Sequence, residues 1–134
     1  MDLLTKEDAL KFFEDDHFAR ENGILITDIS VGKATVEMKI EKRHLNASGN
    51  VMGGAIFSIA DYACAAASCF GKDAGMFVTA DARISYLRST RGTKLIGNAE
   101  CIRKGRTISF YKVEIIDDLN EKIAEVDETM FRVK

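Results

Sequence analysis

Between Leu45 and Gly71 the chain carries one formal charge, Asp61, in the stretch LNASGNVMGGAIFSIADYACAAASCFG, otherwise apolar, small or uncharged. An unpartnered carboxylate is costly in such surroundings. Asp61 is therefore either a structural group satisfied by a neighbouring strand or a group kept for chemistry. Gly53 and Gly54 lead straight into the same run. A helix starting there has its first amides uncovered by side chains, and such an end can polarise a carbonyl or hold an oxyanion. The plainer reading of Gly-Gly is a tight loop-to-helix junction. Seven residues separate Gly54 from Asp61, so they share a helix face but lie about 10 Å apart along the axis. Both cannot address one carbonyl from a single chain. If they cooperate, two helices lie antiparallel across a two-fold axis, each offering its N-terminus to the other's Asp61.

A second chemical feature is the segment 82–113, which holds eight basic residues against one acid, Glu100, in a chain of net charge −2. It is either a set of phosphate contacts or a sheet edge kept basic against unwanted pairing. Arg88, Lys104 and Arg106 are its best ligand candidates because they sit in turns. Nucleic acid fits poorly, since aromatics other than Tyr86 are scarce among these charges and the whole chain is acidic.

These groups must be positioned by an alternation of helical and strand-like runs. Thr5 with Asp8 resembles a capping box, and TKEDALKFFEDDHFARENG predicts an N-terminal helix within residues 1–22, closed by Gly23, with Leu10, Phe12 and Phe13 as its apolar set. His17, among acids, is a surface residue. ILITDISVGKATVEMKI predicts a hairpin about a Gly-Lys turn. Residues 41–54 are a loop, and the Ala-rich run 55–70 is a buried central helix. Four strands follow in FVTADARISYL, KLIGNAECIR, RTISFYKVEIID and KIAEVDETMFRV, joined by short turns and so mostly antiparallel to their neighbours. The fold class is α+β: an antiparallel sheet of about six strands curled around one apolar helix, with alanines allowing close approach.

Length and composition fit one domain over 1–134. Cys64, Cys69 and Cys101 form no CxxC pair and have two histidines to join them, which argues against a disulfide framework or a metal site and for a reducing, cytoplasmic setting. No secretory leader or membrane span is expected.

His44-Leu45-Asn46, Gly49, Val51, Gly53-Gly54 and Asp61, in that order, resemble the HxN…G…HGG…D signature of hotdog-fold thioesterases of the PaaI-like (phenylacetic acid degradation) type. VTADARISYLRST is similar to that family's strand after the central helix, and RKGR to its Gly-Arg hairpin. The resemblance implies a hotdog fold and hydrolysis of acyl-coenzyme A thioesters by a dimer or dimer of dimers, with no separate cofactor. It implies Asp61 as general base or nucleophile, the Gly54 or Gly53 amide as carbonyl-polarising donor, Asn46 as a positioner of water or thioester, and Thr79 as a hydroxyl near the attacking water. Met52 stands where the family has histidine, and methionine neither donates a hydrogen bond nor shuttles a proton.

Acyl-CoA hydrolysis is the leading expectation. Met52, Phe57 and Tyr62 would line the acyl pocket, aryl or aliphatic. A hydratase acting on hydroxyacyl thioesters would need a histidine beside the carboxylate, and the central helix has none. The non-enzymatic alternative, favoured by Met52, is an acyl-CoA-binding or regulatory module.

Overall fold

Thr5 opens the first helix, α1 (Lys6–Phe12), by accepting from the Asp8 N–H while the Asp8 carboxylate accepts from the Thr5 N–H. The structure, a computed structural model, describes residues 2–133, so the two end positions of the 1–134 unit lie outside it. The predicted helix does not run on to Gly23. It passes into a 3-10 turn at Phe13–Asp15, and Asp16 leaves helical geometry (φ −80°, ψ 83°) to cap a second short helix, α2 (His17–Glu21), through Ala19 N–H. Aspartate favours that role over a helix interior. The buried anchors of this segment are Ala9, Phe13 and Ala19, whereas Leu10 and His17 are exposed.

Strands β1 (Ile24–Ser30) and β2 (Lys33–Lys39) form the hairpin. Its turn is Val31-Gly32 rather than Gly-Lys: Gly32 takes φ 74°, and Lys33 already pairs with Ser30. A loop with a 3-10 turn at Lys42–His44 leads into the central helix, α3 (Gly53–Cys69). It begins two residues before the expected start because both glycines are helical, and stops one residue short where Phe70 turns extended.

Strands β3 (Met76–Tyr86), β4 (Lys94–Arg103), β5 (Ile108–Asp117) and β6 (Lys122–Val133) complete one antiparallel sheet in the order β1-β2-β4-β5-β6-β3. The short link RSTRGT does not make β3 and β4 neighbours. The chain leaves β2, follows α3 across the sheet and emerges at the far edge, where β3 pairs with β6 alone. Helix α3 touches all six strands. Its Ala60, Ala63, Ala66 and Ala67 are buried, and a Cβ on Gly97 of β4 would stand 2.8 Å from Ile59 Cγ2. Small residues on both sides thus let helix and sheet approach. Among the described residues no helix is long and apolar enough to cross a membrane.

Candidate active site

Asp61 sits at the middle of α3 on a stripe shared with Gly54, Ser58 and Ala65, the part of the helix that the sheet leaves uncovered. Its carboxylate is half-buried and accepts a 2.7 Å hydrogen bond from Thr79 Oγ1 on β3. A β-bulge between Thr79 and Asp81 interrupts the register there. Asp61 and Thr79, singled out separately in the sequence, therefore meet at the sheet edge.

A third residue joins them that the sequence reading missed. Glu128 on β6 is 2% exposed, its Oε1 lies 3.1 Å from Thr79 Oγ1, and its Oε2 is buried with no hydrogen-bond partner. Burial, then the neighbouring Asp61 charge, push its carboxyl up to about 8. Cys64, one helical turn beyond Asp61, packs beside it, and burial raises that thiol far above its ordinary value. The signal for Glu128 was the strand period: Ala124, Val126, Glu128 and Met130 share the inward face of β6, and the glutamate breaks an otherwise apolar phase.

The N-terminus of α3 is open. Its N-cap, Met52, makes no side-chain cap, and although Ala55 and Ile56 N–H bond to Met52 O, the Gly53 and Gly54 amides have no acceptor among the described residues. The two glycines differ in kind. A Cβ on Gly53 would lie 3.1 Å from Tyr86 Oη, which donates to Gly53 O at 3.0 Å. A Cβ on Gly54 would meet nothing within 4 Å, so no packing inside the protomer requires glycine there. What the missing side chain leaves is access to a free amide at the positive end of a helix.

Asn46 organises the loop before that end. Its Oδ1 accepts from Ser48 N–H, Ser48 Oγ and Asn50 N–H, at 2.8–3.2 Å. Its Nδ2 has no partner among the described residues. His44 is buried and fully committed: Nδ1 accepts from Glu41 N–H at 3.0 Å, so Nε2 carries the proton and donates to Asn22 O at 2.8 Å. It ties the loop to the start of β1 and is not free for proton transfer, which removes the hydratase reading.

Two clefts flank the exposed stripe of α3. One, about 280 Å³, is lined by Asp61, Phe57, Tyr62, Asp16, Phe18 and Ile24 among others; the second, about 390 Å³, shares Phe18, Ile24 and Ser58 with it and adds Met52 and Gly54. The predicted pocket residues thus line two adjoining clefts, Met52 one and Phe57 and Tyr62 the other. Tyr62 is also core: its ring meets Phe13 edge-on at 5.5 Å, and burial, then Asp16, push its phenol up to about 12. A third cleft, about 370 Å³, holds Asn46, Gly53 and Arg88 at the helix N-terminus. Arg88 is paired with Glu121 at 2.6 Å, but both are half-exposed, so that pair holds it weakly. Lys104 and Arg106 are not part of this assembly. They lie in the β4–β5 hairpin, where Lys104 Nζ donates to Ala74 O and stands 5.4 Å from the Phe77 ring, past the C-terminal end of α3. Among the described residues no three His, Cys, Asp or Glu side chains are arranged to hold a metal ion.

The sequence model of the thioesterase superfamily matches residues 48–124, more than half the chain. A candidate esterase of Archaeoglobus fulgidus is 36% identical over 110 residues, which cover 81% of this chain and 70% of its own. The acyl-coenzyme A thioesterase PaaI of Escherichia coli is 30% identical over 120 residues, 88% of this chain and 84% of that one. The solved structure of E. coli PaaI superposes with a TM-score of 0.88 at 27% identity, covering 96% and 92% of the two chains. A Streptococcus mutans protein solved bound to acetyl-CoA superposes at 0.75 with 26% identity, over 82% and 88%. With its helix wrapped by a six-stranded antiparallel sheet and this match across the helix and the three strands that follow it, the chain belongs to the thioesterase superfamily, as a hotdog-fold protein of the PaaI-like type.

Proposed function

We propose that the protein is an acyl-CoA thioesterase whose sites lie across a two-fold dimer interface. The supporting observation is the Asp61–Thr79 pair at an open groove, on the same helix stripe as an uncapped N-terminus. Asp61 takes a proton from water as the water oxygen bonds to the thioester carbon. The carbonyl oxygen gains the electron pair and is held by the Gly54 amide, with Gly53 beside it, of the other copy. The C–S bond then breaks, the thiolate takes the proton from Asp61, and a carboxylic acid and coenzyme A leave. Attack by the Asp61 carboxylate itself is the variant of this scheme. Asn46, through its free Nδ2, orients the water or the thioester.

Strand β3 supports the dimer: eleven residues long, mostly exposed and bonded on one side only, it is the edge that a second copy would extend. Antiparallel helices would bring the C-terminal end of one α3 beside the N-terminus of the other, so Lys104 and Arg106 would reach the coenzyme A phosphates from the opposite copy, facing Arg88. The outer sheet face carries an apolar row, Val78–Phe131–Ile108, that pairing two dimers into a tetramer would cover. Residues 1–134 act as one unit, no cofactor is required beyond the coenzyme A of the substrate, and three unpaired cysteines suit a cytoplasmic setting. Met52, 55% exposed and uncapping, supports the second reading, a module that binds acyl-CoA without cleaving it.

The test is thiol release from a panel of acyl-CoAs by wild type and Asp61→Asn. Turnover that is abolished in the variant, with its fold intact, is the expected result. Tight binding without release in wild type would favour the binding module, and equal rates in both proteins would remove the mechanism.

A further inference from the structure

Glu128 is a buried carboxyl beside Asp61 that hydrolysis by Asp61 does not use. Its surroundings decide its state. From α3 it faces Asp61 and the Cys64 thiol, from β3 the Thr79 hydroxyl and Ala82, and from β5 Tyr111, its buried cross-strand neighbour. Tyr111 and Cys64 are both held neutral, burial being the main cause in each. Among the described residues Asp61 is therefore the only charged group facing it, and no cation pairs with Glu128. An ionised carboxylate here would bury an unpartnered oxygen beside a like charge. The neutral acid removes both costs, and its proton has an acceptor beside it: one Thr79 hydroxyl oxygen touches both carboxyls, Asp61 Oδ1 at 2.7 Å and Glu128 Oε1 at 3.1 Å.

We propose that Glu128 is kept as the neutral acid and donates its proton in a hydrogen bond to Asp61, so that it positions the carboxylate base. Thr79 and Glu128 then grip Asp61 from two strands, β3 and β6, and fix which oxygen faces the attacking water. No proton leaves Glu128 during turnover. The inference rests on Asp61 being the base of a thioesterase. Raising the pH strips the proton, puts two negative charges side by side and makes Glu128 compete with Asp61 for the single Thr79 hydroxyl.

Infrared spectroscopy of wild type, Glu128→Gln and Asp61→Asn, with kinetics on the first two and on Glu128→Ala, tests it. A protonated-carboxyl band is expected at pH 7. It should be absent in Glu128→Gln, should titrate away near the value of about 8 expected for Glu128, and should titrate at lower pH in Asp61→Asn, where the like charge is gone. Wild-type kcat should fall on the alkaline side, a limb missing from Glu128→Gln. Glu128→Ala should lose about 10²-fold in kcat with KM within about threefold, and Gln should recover about tenfold of that loss, because its amide still donates. Absence of the band at pH 7, a band midpoint indifferent to Asp61→Asn, or an alkaline limb unchanged in Glu128→Gln would each overturn the proposal. The infrared arms need no turnover. A protein that releases no thiol yet shows the band behaving as described would sink the thioesterase reading alone.

Discussion

Replacing Thr79 by valine removes a hydroxyl and keeps the β-branched shape. Thr79 Oγ1 donates to Asp61 at 2.7 Å, a distance typical of a hydrogen bond to an ionised acceptor. Hydrogen bonds to charged groups contribute about 1.5–3 kcal/mol. If the whole of that acts on the transition state, kcat should fall by about 10- to 150-fold, since 1.4 kcal/mol is one factor of ten. Thr79 is exposed on an edge strand, so the fold should lose little, and thermal unfolding should remain within a few degrees of wild type. Thr79→Ser, which keeps the donor, should retain most of the rate. Continuous detection of released thiol gives kcat and KM for all three proteins. Valine at the wild-type kcat would refute the idea that this hydroxyl holds the base, and a loss confined to KM would reassign Thr79 to substrate binding.

Two further outcomes follow from other parts of the molecule. Asp117 is 1% exposed. Burial pushes its carboxyl up, but hydrogen bonds from Glu121 N–H, Thr90 Oγ1 and Leu119 N–H outweigh that and leave it below its ordinary value. Asp117→Ala should cost about 3 kcal/mol in denaturant unfolding, by leaving those donors unpaired. A depressed carboxylate stabilises the fold above its unfolded pKa and ceases to as pH falls through the folded one. The stability advantage of wild type over Asp117→Asn should therefore fade below about pH 4; an advantage constant down to pH 2 would contradict this. On the outer sheet face, Phe131→Glu should convert tetramers to dimers in sedimentation, and a protein already dimeric before the change would show that face to be free.

The existence and type of the main helices and strands were readable because each rests on local chemistry: the Thr5–Asp8 cap, the alanine run of α3 and the period-two strands of the C-terminal half. The break at Asp16 was legible in principle, since the same residue type that ends one helix caps the next. The place of β3 was not. Loop length after β3 says nothing about which strand it joins, because α3 carries the chain to the far edge before β3 begins. The site divides in the same way. Asp61 stood out by charge and Gly54 by its freedom from side-chain cover, whereas the meeting of Asp61 with Thr79 and Glu128 depends on the register of β3 against β6. Lys104 and Arg106 show the converse, since the charge cluster they form in sequence is split between the two ends of α3 in space.

A mixing experiment decides whether two copies pool their parts. Asp61→Asn and Gly54→Val, each inactive alone, are unfolded together in equal amounts and refolded, and thiol release is measured. Random pairing makes half the dimers mixed. If a site joins the helix end of one copy to the acid of the other, each mixed dimer has one intact site, and about a quarter of wild-type activity returns. Activity no higher than that of the separate variants would mean that each site is built within a single chain, and the shared-site mechanism would be wrong.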